Sequence, residues 1–287
     1  MLSTARIIAV RRALYRGTVC CLLGGASLSA AAPERWAVCY SPGAEDADLA
    51  GYDLVVLDAD HYPALAPLIE RGTTRLAYLS LTQMGTGRAE FPQLTRTGVI
   101  LDAHPVWAGA HYLDFRRPEW TRLVVDRLVP RALERGFNGL FLDTLDDAEF
   151  LERSNPVRYR GMRDAAVRLV RAIRHRHPRT ILMVNRGYAL MPQIASSIDI
   201  VLGESVAGSF DPVTKAYRRP SSSDVDWQVD QLERARAVNP RLKVFTLDYW
   251  DPSDREGVAA LYREQRARGF VPYVSTPQLD RLVQEPR

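Results

Sequence analysis

The segment Gly136-Phe-Asn-Gly-Leu-Phe-Leu-Asp-Thr-Leu-Asp146 decides the fold of this chain. Its centre, Leu140–Leu142, is a short uninterrupted apolar run, which is typical of a parallel strand buried on both faces. The Arg135-Gly136 pair before it predicts a helix end, because glycine tolerates the left-handed conformation and arginine complements the helix dipole. The segment therefore predicts a helix end, a buried strand and then the carboxylate of Asp143 at the C-terminal end of that strand.

Seven further apolar runs repeat this pattern, with helical segments between them. The eight runs are Trp36–Tyr40, Leu54–Leu57, Leu76–Leu79, Leu140–Leu142, Ile181–Val184, Ile198–Leu202, Val244–Leu247 and Phe270–Val274. The same arginine-glycine helix end recurs at Arg71-Gly72 and Arg268-Gly269. Eight parallel strands alternating with helices close a (β/α)8 TIM barrel. An open doubly wound sheet is the main alternative, but it often carries a Gly-rich phosphate loop, which this sequence lacks. We predict an α/β fold, with one barrel domain over residues 33–287.

The first 32 residues have a different composition from the rest of the chain. Four arginines, at positions 6, 11, 12 and 16, precede an uncharged stretch, Thr18–Ala30, and then the small residues Ala30, Ala31 and Ala32. This order is that of a secretory signal peptide. We predict that residues 1–32 are a signal peptide cleaved after Ala30 or Ala32. The mature protein is then exported to the periplasm or the medium, with no stable membrane span.

Loss of the signal peptide changes the charge balance and the cysteine count. The chain has 38 Lys and Arg against 34 Asp and Glu, and the signal segment contains four of the arginines and no acidic residue. The mature protein would thus be neutral and without a basic run, so we expect no binding to nucleic acid. Cys39 would be the one remaining cysteine, which we expect to be a buried core residue rather than half of a disulfide.

Polar side chains stand at the C-terminal ends of nearly all the predicted strands, where barrel enzymes build their active sites. The candidates are Tyr40, Asp58, Asp60, Tyr78, Asp143, Asp146, Asn185, Arg186, Glu204, Asp248, Tyr249 and Trp250. Each alone could be a helix cap, since Asp and Asn often begin the helix after a strand. A salt bridge to Arg186 is the structural alternative for Glu204. Together, these side chains predict a strongly acidic barrel mouth.

Asp143 and Glu204 are the two candidate catalytic residues, because both end apolar strands. Two carboxylates can flank a glycosidic bond: one attacks the sugar or activates water, and the other, with a raised pKa, protonates the leaving oxygen. A metal site is a weaker interpretation, since the spacing of His175 and His177 does not place both on one helix face. A serine hydrolase would need a Gly-x-Ser-x-Gly turn, which the sequence lacks. We therefore expect neither a metal nor another cofactor.

The segment 136–146 resembles the signature of glycoside hydrolase family 114, the endo-α-1,4-polygalactosaminidases. The resemblance extends over most of the mature chain, through Tyr78-Leu-Ser80, Tyr112-Leu-Asp114, Gly203-Glu204-Ser205 and Val274-Ser275-Thr276. It implies that Asp143 is the nucleophile and Glu204 the acid/base of a retaining mechanism, with carboxyl groups about 5–5.5 Å apart.

The resemblance also implies the substrate, an α-1,4-linked galactosamine polysaccharide that is partly de-N-acetylated and therefore cationic. An acidic mouth suits such a polymer, and Tyr40, Tyr78, Tyr188, Tyr249 and Trp250 could stack on its sugar rings. A biofilm polysaccharide and a separate deacetylase as partner belong to the same expectation. The alternative is a non-catalytic carbohydrate-binding barrel of an exopolysaccharide system.

Two long segments interrupt the alternation of strands and helices. Residues 82–117 follow the third predicted strand and include a short extended piece, His111–Phe115, whereas residues 205–223 form a loop rich in Gly, Ser and Pro after the sixth. Loops of this length are often functional. We expect both on the C-terminal face of the barrel.

Overall fold

Eight parallel strands form the centre of the computed structural model, which describes residues 35–286. They are β1 (Trp36–Cys39), β2 (Leu54–Asp58), β3 (Thr74–Ser80), β4 (Gly139–Asp143), β5 (Ile181–Asn185), β6 (Ile200–Glu204), β7 (Lys243–Tyr249) and β8 (Val271–Ser275). All eight predicted runs are confirmed as strands, with ends shifted by one or two residues. The proposed signal peptide, residues 1–32, lies outside the described residues.

The strands pair in sequence order from β1 to β8, so that neighbours in the chain are neighbours in the sheet. The parallel register places Ser80 opposite Asp143 and Leu247 opposite Glu204, which brings the C-terminal strand ends to one rim. Between β8 and β1, the indole Nε1 of Trp36 donates to the carbonyl of Val271 at 3.0 Å. The result is the predicted (β/α)8 barrel, nearly closed.

Helices surround the barrel and pack on its outer face. The α-helices are Asp46–Leu49, Ala66–Glu70, Phe91–Arg96, Pro118–Leu123, Val129–Glu134, Asp147–Ser154, Met162–Arg176, Met191–Ile194, Ser222–Val238 and Arg255–Ala267, with a π-helical turn at Val124–Leu128 and 3₁₀ turns at Tyr188–Leu190 and Ala195–Ser197. Because helices cover the strands, these are buried on both faces, as their apolar sequences predicted. No helix among residues 35–286 is both long enough and apolar enough to cross a membrane.

Glycine ends three of the surrounding helical segments, as predicted. Gly72, Gly136 and Gly269 all have positive φ angles, of 75°, 101° and 72°. An L-residue at these positions would be strained, which explains the repeated arginine-glycine pair. Cys39 is buried, also as predicted.

The two long segments contain more structure than the sequence indicated. Residues 82–117 form a three-stranded antiparallel sheet of Gln83–Gly85, Ala110–Leu113 and Ile100–Ala103, with the helix Phe91–Arg96. Residues 205–223, expected to be a loop, contain a hairpin of Ser209–Asp211 and Ala216–Arg218. These strands are short and pair only within their own segment. They also lack the apolar runs that indicated the barrel strands, so the sequence did not predict them.

Gly139 lies at a point of the barrel wall where neighbouring strands leave no room for a side chain. A Cβ atom there would lie 2.7 Å from both Ile181 Cβ and Leu76 Cδ2, and closer still to the carbonyl oxygen of Ile181. We expect Gly139→Ala to lower the free energy of unfolding by about 1–3 kcal/mol, since overpacking displaces neighbouring strands. Gly87→Ala is the control, because a Cβ atom there meets nothing within 4 Å. Urea unfolding of both variants makes the comparison, and equal stability of the two would contradict this account.

Candidate active site

A cavity of about 660 Å³ opens at the rim formed by the C-terminal strand ends. That volume lies within the range of ligand-binding clefts. Nine of the twelve residues proposed from the sequence line it, namely Tyr40, Asp58, Tyr78, Asp143, Asp146, Asn185, Arg186, Glu204 and Tyr249. The fold therefore assembles most of the predicted site from seven different strands.

Three neighbouring strands, β4, β5 and β6, end at Asp143, Asn185 and Glu204. Each of these residues is followed by a non-glycine residue with a positive φ angle. These followers are Thr144 (68°), Arg186 (51°) and Ser205 (57°). Such conformations are uncommon for residues with a side chain and cluster at functional sites. They turn the chain sharply after each site residue.

The side chain of Asn185 joins the two candidate catalytic carboxylates. Its Nδ2 donates to Asp143 Oδ1 at 3.0 Å and to Glu204 Oε2 at 2.6 Å. Since one nitrogen lies 3.0 Å from the first oxygen and 2.6 Å from the second, these oxygens cannot be more than 5.6 Å apart. This limit on two of the carboxylate oxygens is compatible with the close carboxyl pair of retaining glycosidases, which is about 5–5.5 Å apart.

A tyrosine holds the other oxygen of each carboxylate. Tyr78 Oη donates to Asp143 Oδ2 at 2.8 Å, and Tyr249 Oη donates to Glu204 Oε1 at 2.6 Å. Burial and the neighbouring carboxylates raise the pKa of both phenols well above the ordinary value. Both tyrosines therefore stay protonated as hydrogen-bond donors, and they fix the orientation of the two carboxyl groups.

The environment of Glu204 favours its protonated form. Burial raises the pKa of this carboxyl, and the negative charge of Asp143 raises it further, whereas the hydrogen bonds from Tyr249 and Asn185 lower it. A carboxylic acid in such surroundings can hold a proton to a higher pH than a solvated glutamate. Glu204 is therefore suited to donate a proton.

Arg186 pairs with Asp146 in the structure, so the salt bridge to Glu204 that was the structural alternative is wrong. Arg186 Nε lies 3.2 Å from Asp146 Oδ2, and the backbone N–H of Gly187 donates to Asp146 Oδ1 at 2.7 Å. The left-handed backbone of Arg186 accompanies this arrangement. Asp146 thus links the loop after β4 to the turn after β5.

Three of the residues proposed as substrate ligands, Asp60, Asp248 and Trp250, do not line the cavity. Asp248 is fully buried and accepts hydrogen bonds from Gln265 and from the backbone of residues 207 and 208. Asp60 is paired with three arginines, at positions 88, 131 and 135. The indole of Trp250 donates to Asp254 at 2.8 Å. All three side chains are thus engaged by partners within the protein.

The cavity also contains residues that the sequence did not single out as ligands. Asp147 accepts hydrogen bonds from Thr82 at 2.7 Å and from Gln83 at 2.8 Å, and burial raises its pKa to about 6. His104 and Trp107 reach the cavity from the insertion after β3. The adjacent acidic pair at positions 146 and 147 was the available signal for Asp147, whereas nothing local marked His104.

Histidines are not gathered at this site. His177 Nε2 lies 2.8 Å from the carbonyl oxygen of Val125, at the end of the helix Met162–Arg176. Among residues 35–286, no group of three or more His, Cys, Asp or Glu side chains is arranged to hold a metal ion.

The family of the chain follows from comparison with known proteins. The model of glycoside-hydrolase family GH114 matches residues 24–287. The chain belongs to glycoside hydrolase family GH114. It is therefore a glycoside hydrolase, and the family expected from the sequence motifs is confirmed. Membership of this family argues against the non-catalytic alternative.

Solved structures of similar proteins show the same fold. The glycoside hydrolase domain of PelA from Pseudomonas aeruginosa is 28% identical, over 88% of this chain and 99% of that chain, with a TM-score of 0.78. Ega3 from Aspergillus fumigatus, solved in complex with galactosamine, is 14% identical over 88% of this chain and 95% of that chain, with a TM-score of 0.64, a likeness of fold alone. An uncharacterized protein from Thermotoga maritima is 21% identical over 74% of this chain and 68% of its own length.

Two substitutions around Glu204 should shift its pKa in opposite directions. Asp143→Asn removes a negative charge, so the pKa of Glu204 should fall, although it stays raised because burial remains. Tyr249→Phe removes a hydrogen bond to the carboxylate, so the pKa should rise. NMR titration of carboxyl-labelled glutamate measures both shifts. Tyr262→Phe, at a buried tyrosine on the helix Arg255–Ala267, should leave the pKa unchanged. Shifts of the same sign in the first two variants would refute this electrostatic account.

Proposed function

We propose that this hydrolase cleaves an α-1,4-linked, partly de-N-acetylated galactosamine polysaccharide within the chain, by a retaining mechanism with Asp143 as nucleophile and Glu204 as acid/base. The observation that supports this mechanism is the single amide nitrogen that binds one oxygen of each carboxylate, because the two groups are then close, as a retaining mechanism requires. The substrate rests on family membership and on the acidic lining of the cavity.

In the first step, Asp143 attacks the anomeric carbon and the bond from that carbon to the leaving oxygen breaks. Glu204 gives its proton to this oxygen, so the departing chain leaves as a neutral alcohol. In the second step, the ionised Glu204 takes a proton from water, whose oxygen attacks the same carbon. The bond from this carbon to Asp143 breaks as the water oxygen bonds to it, and both carboxyl groups return to their starting states. Two inversions give overall retention of configuration.

The hydrogen bonds support this division of roles. Asp143 receives donors from Tyr78 and Asn185, which orient its carboxylate for attack. Glu204 has the pKa raised by burial and by Asp143, as a general acid requires. Once Asp143 is esterified it no longer carries a charge, so the pKa of Glu204 falls and the residue becomes a base for the second step.

The charge of the cavity supports a cationic substrate. Five acidic residues, Asp58, Asp143, Asp146, Asp147 and Glu204, line it, against two arginines, Arg88 and Arg186. One arginine pairs with Asp146 and the other with Asp60, which lies outside the cavity. A polymer with free amino groups would therefore be attracted to the cleft. Tyr40, which contacts the Tyr78 ring edge-to-face at 5.0 Å, and Tyr249 would supply aromatic surface to the sugar rings.

The cellular context follows from the same proposal. The first 32 residues have the sequence of a signal peptide, so we propose that the enzyme acts in the periplasm or the medium. A polymer of N-acetylgalactosamine carries no amino charge, so a separate deacetylase would generate the cationic substrate. We propose a biofilm polysaccharide as the polymer that is first deacetylated by the separate enzyme and then hydrolysed by this one.

Azide rescue distinguishes the two catalytic roles. We expect Asp143→Ala and Glu204→Ala each to lower hydrolysis by at least about 10²-fold. With an activated α-glycoside, azide should attack in place of Asp143 and give the β-glycosyl azide in the first variant. In the second variant the glycosyl-enzyme still forms, and azide should give the α-glycosyl azide. NMR of the products identifies the anomers.

Asp251→Ala is the control for these variants, because Asp251 is an exposed carboxylate that does not line the cavity, and it should keep wild-type activity. Wild-type hydrolysis by either catalytic variant would refute the assigned roles. A β-configured first product from the wild-type enzyme would refute retention.

A comparison of polymers that differ in acetylation tests the proposed substrate. We expect partly de-N-acetylated α-1,4-polygalactosamine to be cleaved faster than the fully acetylated polymer, with kcat/KM falling as salt is added, because salt screens the attraction between the cleft and the amino groups. Mass spectrometry of the products gives chain length and acetylation together. Equal rates on both polymers, without salt dependence, would exclude charge recognition.

A further inference from the structure

The insertion after β3 places an exposed tryptophan at the edge of the active-site cavity. Trp107 lines the cavity, yet 64% of its surface is exposed, and the adjacent Val106 is 68% exposed. A large aromatic side chain with so much free surface gains little from packing. In a carbohydrate hydrolase, an exposed indole beside the cleft is a surface on which a sugar ring can stack.

The turn that carries Trp107 is fixed by hydrogen bonds. His104 Nδ1 accepts the backbone N–H of Val106 at 3.1 Å and that of Trp107 at 3.0 Å. The backbone N–H of His104 donates to the carbonyl of Ala110 at 2.8 Å, and the N–H of Ala110 donates back to the carbonyl of Trp107 at 3.1 Å. The backbone of Trp107 is therefore held on both sides, although its side chain is free.

His104 is itself held in the state that this turn requires. Its ring contacts Tyr112, with ring centroids 4.8 Å apart. Burial lowers the pKa of His104, so the neutral ring keeps the lone pair on Nδ1 that accepts the two backbone N–H groups. Protonation would replace that lone pair with a donor.

The insertion is anchored to the barrel beyond this turn. Asp102 pairs with Arg158 at 2.7 Å and accepts a hydrogen bond from Tyr159 at 3.1 Å, both in the segment before the helix Met162–Arg176. At the start of the insertion, the backbone N–H of Thr82 donates to Thr144 Oγ1, directly after β4, at 3.1 Å. The backbone of Trp107 is thus held by hydrogen bonds, so that mainly the indole side chain has to be ordered when a ligand binds.

We propose that Trp107 forms a sugar-binding subsite at the insertion side of the cleft, where its indole stacks on a pyranose ring of the polysaccharide away from the scissile bond, and that His104 is the positioning residue of this subsite. This inference rests on the proposed function, because it takes the ligand to be an aminosugar polymer. The C–H face of a galactosamine ring provides apolar area, and its protonated amine adds attraction to the indole face.

The length of the oligosaccharide substrate distinguishes a subsite away from the scissile bond from a general effect on the enzyme. We expect Trp107→Ala to raise KM about 3- to 10-fold for long galactosamine oligosaccharides, while kcat stays near the wild-type value. The shortest oligosaccharides that the enzyme cleaves should be unaffected, because they do not reach the subsite. Trp107→Phe should retain part of the affinity. Trp227→Ala is the control: Trp227 is 52% exposed on the helix Ser222–Val238, but it packs on Tyr188 and does not line the cavity.

The positioning role of His104 has its own test. His104→Ala should weaken binding of long oligosaccharides as Trp107→Ala does, because the turn loses its acceptor. His104→Asn should restore most of the affinity, since the Asn side-chain oxygen can accept backbone N–H groups two and three residues ahead. Calorimetry in the inactive Asp143→Asn background measures Kd without turnover. A loss that His104→Asn does not restore would overturn the positioning role.

The outcomes for the subsite and for the substrate are distinguishable. Wild-type enzyme that releases no products from de-N-acetylated polygalactosamine contradicts the proposed function, whatever Trp107 does. If the wild type does cleave it, an unchanged KM for Trp107→Ala, or an equal change on short and long oligosaccharides, overturns the subsite. Failure of the Asp143→Asn protein to bind long galactosamine oligosaccharides also overturns it.

Discussion

The amide of Asn185 lies between two carboxylates that would otherwise repel each other at the barrel mouth. At a separation of at most 5.6 Å, two full charges would repel by about 3 kcal/mol at an effective dielectric constant of about 20. The two N–H groups on Asn185 Nδ2 offset part of this repulsion and hold the two carboxylate oxygens close together. Burial raises the pKa of Glu204 and the negative charge of Asp143 raises it further, so the close approach of the two carboxylates helps Glu204 to hold a proton.

The rest of the site maintains this arrangement. Tyr78 and Tyr249 bind the outer oxygens of the pair, so each carboxylate is held from two directions. The left-handed residues after β4, β5 and β6 turn the chain where the site residues end, at a cost of about 1–3 kcal/mol each. These turns follow strands that are buried on both faces and paired in one continuous sheet, which can support that strain.

Strand-end acids have two different uses in this molecule. Asp143 and Glu204 face the cavity, whereas Asp248, at the end of β7, accepts hydrogen bonds from backbone N–H groups and Gln265 and is fully enclosed. Asp60 is surrounded by arginines. In the sequence all four follow an apolar run and look alike. Their partners, which lie far away along the chain, decide which of them can meet a substrate.

The sequence by itself determined the barrel, because strands buried on both faces are apolar runs and the helix ends require glycine, and both signals are local. The segment around Asp143 and the residues near Glu204 also indicated the family and predicted two carboxylates at strand ends. Only the tertiary structure decided that Asn185 binds both of them, that Asp60, Asp248 and Trp250 lie outside the cavity, and that Trp107 reaches it. Hydrogen bonds and exposure depend on distances between residues 40 or more positions apart in several of these cases, and no local pattern encodes those distances.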